Sequence, residues 1–219
     1  MLLDYGGTLD GDAQHWFDHF VRLYAESGAP FSHAAIKAAF YAADTALPRL
    51  PAIATYGLEP MVRAHVALQM EQLRPEDPTL GATVIARFVA DTRAAWERNR
   101  PMLGRLATRF RLGVVSNSYG NMPALLRDAA LAPFEVVLDS ALVGIAKPDP
   151  ALYARAAADL RLPADAILHV GDSWERDVVP ARAVGMHAAW LAGGAAPMPA
   201  TPPDVPRLAS LLELEALLA

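Results

Sequence analysis

Short apolar runs that each end in polar residues constrain this chain more than any other feature. Leu112 to Ser116 (LGVVS), Ala166 to Asp172 (AILHVGD) and His187 to Ala192 (HAAWLA) are such runs, and Phe134 to Leu138 is a β-branched fourth. Continuous apolar runs of this length suit strands covered on both faces, and helical patterns lie between them. Strand and helix alternating through short connections predict a doubly wound α/β fold with a parallel sheet. Ligands in such folds bind beyond the carboxyl ends of the strands. Asp4, Ser116 and Asp172 stand at those ends.

Residues from about 13 to 98 have a different texture. They predict four helices, near 13–27, 32–46, 58–73 and 79–98, broken at Gly28-Ala29-Pro30, Pro48 through Pro51 and Pro75 through Pro78. Ala35, Ala38, Ala39 and Ala42 form a small apolar stripe in the second of them, and Ser32 is placed to cap it. This block is expected to be a small all-helical domain, 13–98, inserted into an α/β core of residues 1–12 and 99–219. Only Met1 to Leu3 precede Asp4, a short lead for a strand that carries a reactive acid.

Composition narrows the function. A formal charge of −5 leaves no basic footprint for nucleic acid and no polybasic membrane patch. The absence of Cys removes disulfides, zinc–thiolate sites and a cysteine nucleophile. The longest uncharged stretch, Ala183 to Pro203, holds four Pro and three Gly and does not read as a membrane span. Met1-Leu2-Leu3-Asp4 shows no basic segment followed by an apolar run. A cytoplasmic protein acting on a small molecule, with no nucleic-acid or membrane partner, is expected; oligomeric state is not legible.

Four segments carry groups suited to chemistry. Asp4-Tyr5-Gly6-Gly7-Thr8-Leu9 puts an acid before two glycines, which permit a tight turn and close backbone approach to an anion. Ser116-Asn117-Ser118 ends a strand in hydroxyl and amide groups able to hold phosphate oxygens. In Ala146-Lys147-Pro148-Asp149-Pro150 two prolines stiffen a loop, and Asp149 is placed to cap a helix over 150–160. Gly171-Asp172-Ser173-Trp174-Glu175-Arg176-Asp177 places two carboxylates five residues apart at a strand end.

In order and spacing, these segments resemble the four motifs of the haloacid dehalogenase superfamily. That pattern opens with Asp-x-Asp-Gly-Thr, continues with a strand ending in Ser or Thr, then Lys before Pro, then Gly-Asp with a second Asp. The resemblance covers nearly the whole chain, including a helical cap between the first two motifs and a tail from Pro203-Asp204 to Leu218. It implies a hydrolase of a small phosphorylated substrate. Asp4 would be the nucleophile that forms an aspartyl-phosphate. Ser116 would grip phosphate with Asn117, Gly7 and Thr8 beside it, and Lys147 would neutralise the gathering charge. Mg²⁺ would be held by Asp4, the Gly6 carbonyl, Asp172 and Asp177.

The departure from the family pattern is Gly6. Its phosphatases carry an acid there that protonates the leaving group, and general acid/base catalysis of this kind contributes about 10²–10⁴-fold. Glycine keeps the carbonyl and loses the carboxyl. Asp10, Asp12 and His15 are nearby candidates to replace it. A protein that binds metal and phosphate with little or no turnover is the rival reading. Dehalogenation is disfavoured by Asp172 and Asp177, since dehalogenases of the family carry Ser-Asn in the fourth segment. Phosphonate cleavage needs a Schiff-base Lys in the cap, where only Lys37 stands.

Some of these residues also have plainer readings. Asp177 could simply cap the helix that Pro180 opens. His15, Trp16, Phe17 and Phe20 recur at helical spacing and read as packing of the cap rather than a surface for substrate.

Overall fold

The structure is a computed structural model that describes residues 1–193 and 202–219; positions 194–201 of the Pro/Ala-rich segment lie outside them. Its sheet has six parallel strands: β1 (Leu2–Leu3), β2 (Gly113–Ser116), β3 (Val136–Asp139), β4 (Leu168–Gly171), β5 (His187–Leu191) and β6 (Arg207–Leu208), in the order β3-β2-β1-β4-β5-β6. Leu2, Leu3, Val114, Val115 and Val170 are fully buried, as the continuous apolar runs require. The two-residue β6 has no apolar run to announce it.

β1 has two residues and is paired on both sides. Leu2 and Leu3 pair with Gly113 and Val114 on one side and with His169 and Val170 on the other. The Asp4 amide then donates to the Val170 carbonyl at 2.9 Å, which fixes the direction in which the acid leaves the sheet. From β1 the chain builds outward to β2 and β3, then crosses back to β4, β5 and β6. β1 is therefore the topological switch point, where the neighbouring loops part and leave a crevice.

Between β1 and β2 lie the helices α1 (Trp16–Glu26), α2 (His33–Ala46), α3 (Leu58–Leu73) and α4 (Leu80–Ala107). Ser32 caps α2 by accepting from the Ala35 amide at 3.2 Å. α1 starts later than its apolar periodicity suggests, because Asp12 and Ala13 take positive φ values of 48° and 74°. At the other end the structure corrects the sequence expectation: α4 runs to Ala107, through Pro101 and across the 98/99 position. Pro101 costs one helical hydrogen bond, but it lies on the exposed side. Met102, Leu103 and Leu106 around it are buried, and their packing carries the helix onward. Buried Asn99 donates to the Leu9 carbonyl at 3.0 Å and ties α4 to the loop after β1.

The remaining helices are α5 (Met122–Ala129), α6 (Ser140–Val143), α7 (Pro150–Leu160), α8 (Val179–Ala183) and α9 (Leu214–Leu217). Asp149 caps α7 through the Ala151 amide at 2.9 Å. One apolar core runs from Leu3 and Val114 in the sheet through Leu9 to Phe20, Phe40, Met61 and Phe88 among the inserted helices. No helix among the described residues is long and apolar enough to cross a membrane.

Candidate active site

A cavity of about 470 Å³ opens over the carboxyl ends of β1, β2 and β4. Core residues Asp4, Ser116, Lys147 and Asp172 form its floor, while His15, Trp16, Phe40 and Asp44 reach it from α1, α2 and the turn before them. The structure brings Asp4, Gly6, Ser116, Asn117, Lys147, Asp172 and Asp177 to its wall. It does not bring Gly7 or Thr8 there. The Gly7 amide donates to Asp10 Oδ1 at 2.7 Å and is not free for an anion. Thr8 is fully buried, and its hydroxyl has no hydrogen-bond partner. Neither position, though read from the sequence as substrate-binding, lines this cavity.

Charge at the floor is arranged around one ammonium. Lys147 Nζ lies 2.7 Å from Asp4 Oδ1 and 2.6 Å from Asp177 Oδ1. Ser116 Oγ donates to the same Asp4 oxygen at 2.8 Å. Burial works against the Lys147 charge, but the carboxylates of Asp177 and Asp4 outweigh it and hold the ammonium above its ordinary range. Asn117 fixes the backbone of Lys147 from both sides, accepting from its amide at 2.8 Å and donating to its carbonyl at 3.0 Å.

Asp177 is not the cap of the following helix. Its Oδ2 accepts from the Ser173 amide at 3.1 Å, and its Oδ1 meets His169 Nε2 at 3.1 Å as well as Lys147. Although burial opposes its charge, Lys147 and His169 hold this carboxyl well below the usual carboxylate range. Gly171 makes room for it: a Cβ there would stand 2.2 Å from Asp177 Cγ.

Asp172 is the counterpart. It makes no ion pair among the described residues, and burial followed by repulsion from Asp4 and Asp177 pushes its carboxyl well above the ordinary value. One oxygen each from Asp4, Asp172 and Asp177 lie within 4.8 Å of one another. Three carboxylates facing one ammonium leave an excess of negative charge, and the donors are all hard oxygens. That set fits a divalent cation such as Mg²⁺.

The loop Tyr5–Leu9 explains its two glycines differently. Gly7 has φ +80°, a conformation that favours glycine, whereas Gly6 has φ −69°, open to any residue. Around Gly6 the nearest atoms to an added Cβ belong to the Trp16 indole, 3.9 Å away. Trp16 Nε1 donates to Asp10 Oδ2 at 2.7 Å, so buried Asp10 joins the loop to α1. Burial raises the Asp10 carboxyl to about 7, against the pull of those two hydrogen bonds.

The sequence reading missed several cavity residues. Trp16, Phe17 and Phe20 pack in the core as expected, but Trp16 also lines the cavity, as does His15, which the sequence named as a nearby candidate. Tyr119, in the loop after β2, donates to Asp44 on α2 and links core to inserted helices. Arg176 also reaches the wall. An aromatic beside an acid motif was the only signal for Trp16, and helical periodicity explained it equally well. Lys37 is exposed and does not line the cavity.

Sheet and acid cluster together define a Rossmann-like α/β protein organised to work at its topological switch point, under a helical roof. The chain belongs to the haloacid dehalogenase-like hydrolase family, whose pattern matches residues 1–185. It is 37% identical over 110 residues to haloacid dehalogenase-like hydrolase domain-containing protein 3 of Bos taurus, a match covering 50% of this chain and 44% of that one. It is 38% identical over 82 residues to a phosphoserine phosphatase of Thermus thermophilus, covering 37% and 32% of the two chains. These matched stretches span less than half of either relative. Among solved structures, a dehalogenase with an intermediate complex superposes with a TM-score of 0.63 at 16% identity, covering 99% of this chain and 95% of that one. That likeness concerns the fold alone.

Proposed function

We propose that the chain hydrolyses a small phosphomonoester through an aspartyl-phosphate on Asp4, with Mg²⁺ at the acid cluster. The observation that carries the reading is the convergence of Asp4, Asp172 and Asp177 within 4.8 Å around the buried Lys147 ammonium, at the floor of the cavity. Residues 13–98 act in this reading as the cap that closes over substrate and excludes water.

Asp4 Oδ1 is engaged by Lys147 and Ser116, which orients the carboxylate and leaves its other oxygen to attack phosphorus. The bond from phosphorus to the leaving oxygen breaks as the bond to Asp4 forms, and its electron pair departs with that oxygen. Lys147 and Ser116 then serve the equatorial oxygens, where charge gathers. Asp177 positions Lys147 rather than meeting substrate. Water next attacks phosphorus, the bond from phosphorus to Asp4 breaks with its electron pair returning to the carboxylate, and both protons of the water leave on the phosphate product. Asp4, the Gly6 carbonyl and Asp172 would hold Mg²⁺, with Asp177 behind them; when bound, the cation neutralises phosphate charge.

The test is phosphate release from an activated aryl phosphate. Release that requires Mg²⁺ and disappears in Asp4→Asn supports the reading. Gly6 favours a second one, a metal and phosphate binder without turnover, and no release above blank would select it.

A further inference from the structure

Of Asp10, Asp12 and His15, the candidates close in sequence to the gap at Gly6, one lines the cavity. Asp10 is committed on both oxygens, to the Gly7 amide and to Trp16, and does not line the cavity. Asp12 is spent on Arg98 at 3.0 Å, on Ser210 and on the Leu211 amide at 2.6 Å. His15 lines the cavity together with Asp4 and Gly6.

His15 is also held in a single chemical form. It is the N-cap of α1, and its Nδ1 accepts from the Phe17 amide at 3.2 Å. A ring nitrogen that accepts a hydrogen bond carries no proton, so in the neutral ring the proton sits on Nε2. Nε2 makes no hydrogen bond to any described residue. The Phe40 ring packs edge-on against the imidazole, with centroids 6.5 Å apart, and limits its tilt.

We propose that His15 is a catalytic residue which donates a hydrogen bond from Nε2–H to the leaving-group oxygen while remaining neutral throughout. This rests on the phosphatase reading above and deepens it. His15 gives no proton away: the leaving oxygen departs as the anion, its charge held by Nε2–H, and takes its proton from solvent water. A neutral imidazole at a helix N-terminus is a known way to stabilise a developing oxyanion. Burial lowers the His15 pKa, Arg176 lowers it further, and Asp18, Asp4 and Asp44 act against them without reversing the direction. The substrates implied are phosphomonoesters whose leaving groups tolerate departure without full protonation, aryl or enol esters before simple alkyl ones.

The experiment compares wild type, His15→Ser and His15→Ala on dinitrophenyl, para-nitrophenyl and phenyl phosphates with Mg²⁺. Ser retains a capping acceptor for the Phe17 amide and loses the imidazole donor. Both variants are expected to lose about 10²-fold in kcat on phenyl phosphate but less than about threefold on dinitrophenyl phosphate. Equal losses on all three esters, or activity kept in His15→Ser and lost only in His15→Ala, would reduce His15 to a cap and overturn the proposal. Nitrogen-15 spectroscopy of the resting protein gives a readout independent of turnover. It should show the neutral Nε2–H tautomer at about pH 8, and an Nδ1–H or doubly protonated ring there overturns the assignment. If wild type releases no phosphate from any ester and matches Asp4→Asn, the phosphatase reading itself has failed and this proposal falls with it. Asp4-dependent turnover indifferent to position 15 refutes only the role of His15.

Discussion

Gly7 and Asp172 share one small space: a Cβ on residue 7 would stand 2.4 Å from Asp172 Oδ2 and 2.9 Å from its Cγ. Backbone and contact both demand glycine, since φ is +80° there. Gly7→Ala is therefore expected to cost about 1–3 kcal/mol of stability and to displace the one carboxylate of the cluster that lacks an ion pair. Urea denaturation and a Mg²⁺ titration check the two effects. Unchanged stability with undisturbed Mg²⁺ binding would contradict this account of the loop.

Gly6 behaves in the opposite way. With φ −69°, and only Trp16 near an added Cβ at 3.9 Å, Gly6→Ala is expected to change stability by less than about 1 kcal/mol. Gly6→Asp places a carboxyl where the family's phosphatases carry one. It is expected to raise turnover of alkyl phosphates by about 10-fold or more while leaving dinitrophenyl phosphate nearly unaffected. Rates measured on both esters decide the matter, because equal gains on the two would mean proton delivery is not what limits the wild-type protein.

The apolar runs announced the sheet because strands buried on both faces have little choice of residue, and polar ends marked the positions of Asp4, Ser116 and Asp172. The run of α4 past position 98 was hidden by Pro101. That proline ordinarily ends a helix, and its tolerance depends on the exposed side it occupies. The direction of the Gly7 amide was hidden for another reason. A motif states which residues occur, not which way an amide points, and the Gly7 amide is claimed by Asp10, a residue outside the motif. Similarly, periodicity grouped Trp16 with Phe17 and Phe20 as packing, and only the tertiary fold shows that Trp16 reaches the cavity as well.

Asp172 offers a direct test of the cation. Its carboxyl is pushed well up by burial, then by Asp4 and Asp177, so a bound divalent ion relieves a repulsion present in the metal-free protein. Mg²⁺ at about 100 times its dissociation constant should stabilise wild type by about 2.7 kcal/mol. Asp172→Asn removes part of the repulsion and one charged ligand together. Its metal-free form is expected to melt at or above the wild-type temperature and to respond far less to Mg²⁺. Thermal melts with and without the ion, and with chelator, read both. An undiminished Mg²⁺ shift in Asp172→Asn would move the cation elsewhere.

Asp10 should leave its mark on the pH dependence of stability. Its carboxyl is raised from 3.8 to about 7, chiefly by burial. The folded protein therefore binds a proton more tightly at this position than the unfolded chain does. The corresponding stability is fully present below about pH 4 and is lost as pH rises toward 7; above that both states are ionised and the slope vanishes. The expected loss is of the order of a few kcal/mol across this window. Asp10→Asn cannot titrate, so it should flatten Asp10's share of the slope between pH 4 and 7. It should also be less stable than wild type, since its amide nitrogen would face one of two donors, the Gly7 amide or Trp16 Nε1. Urea midpoints of the metal-free proteins across this range separate the two effects, and parallel pH curves for wild type and variant would show that the Asp10 carboxyl is not the group that titrates.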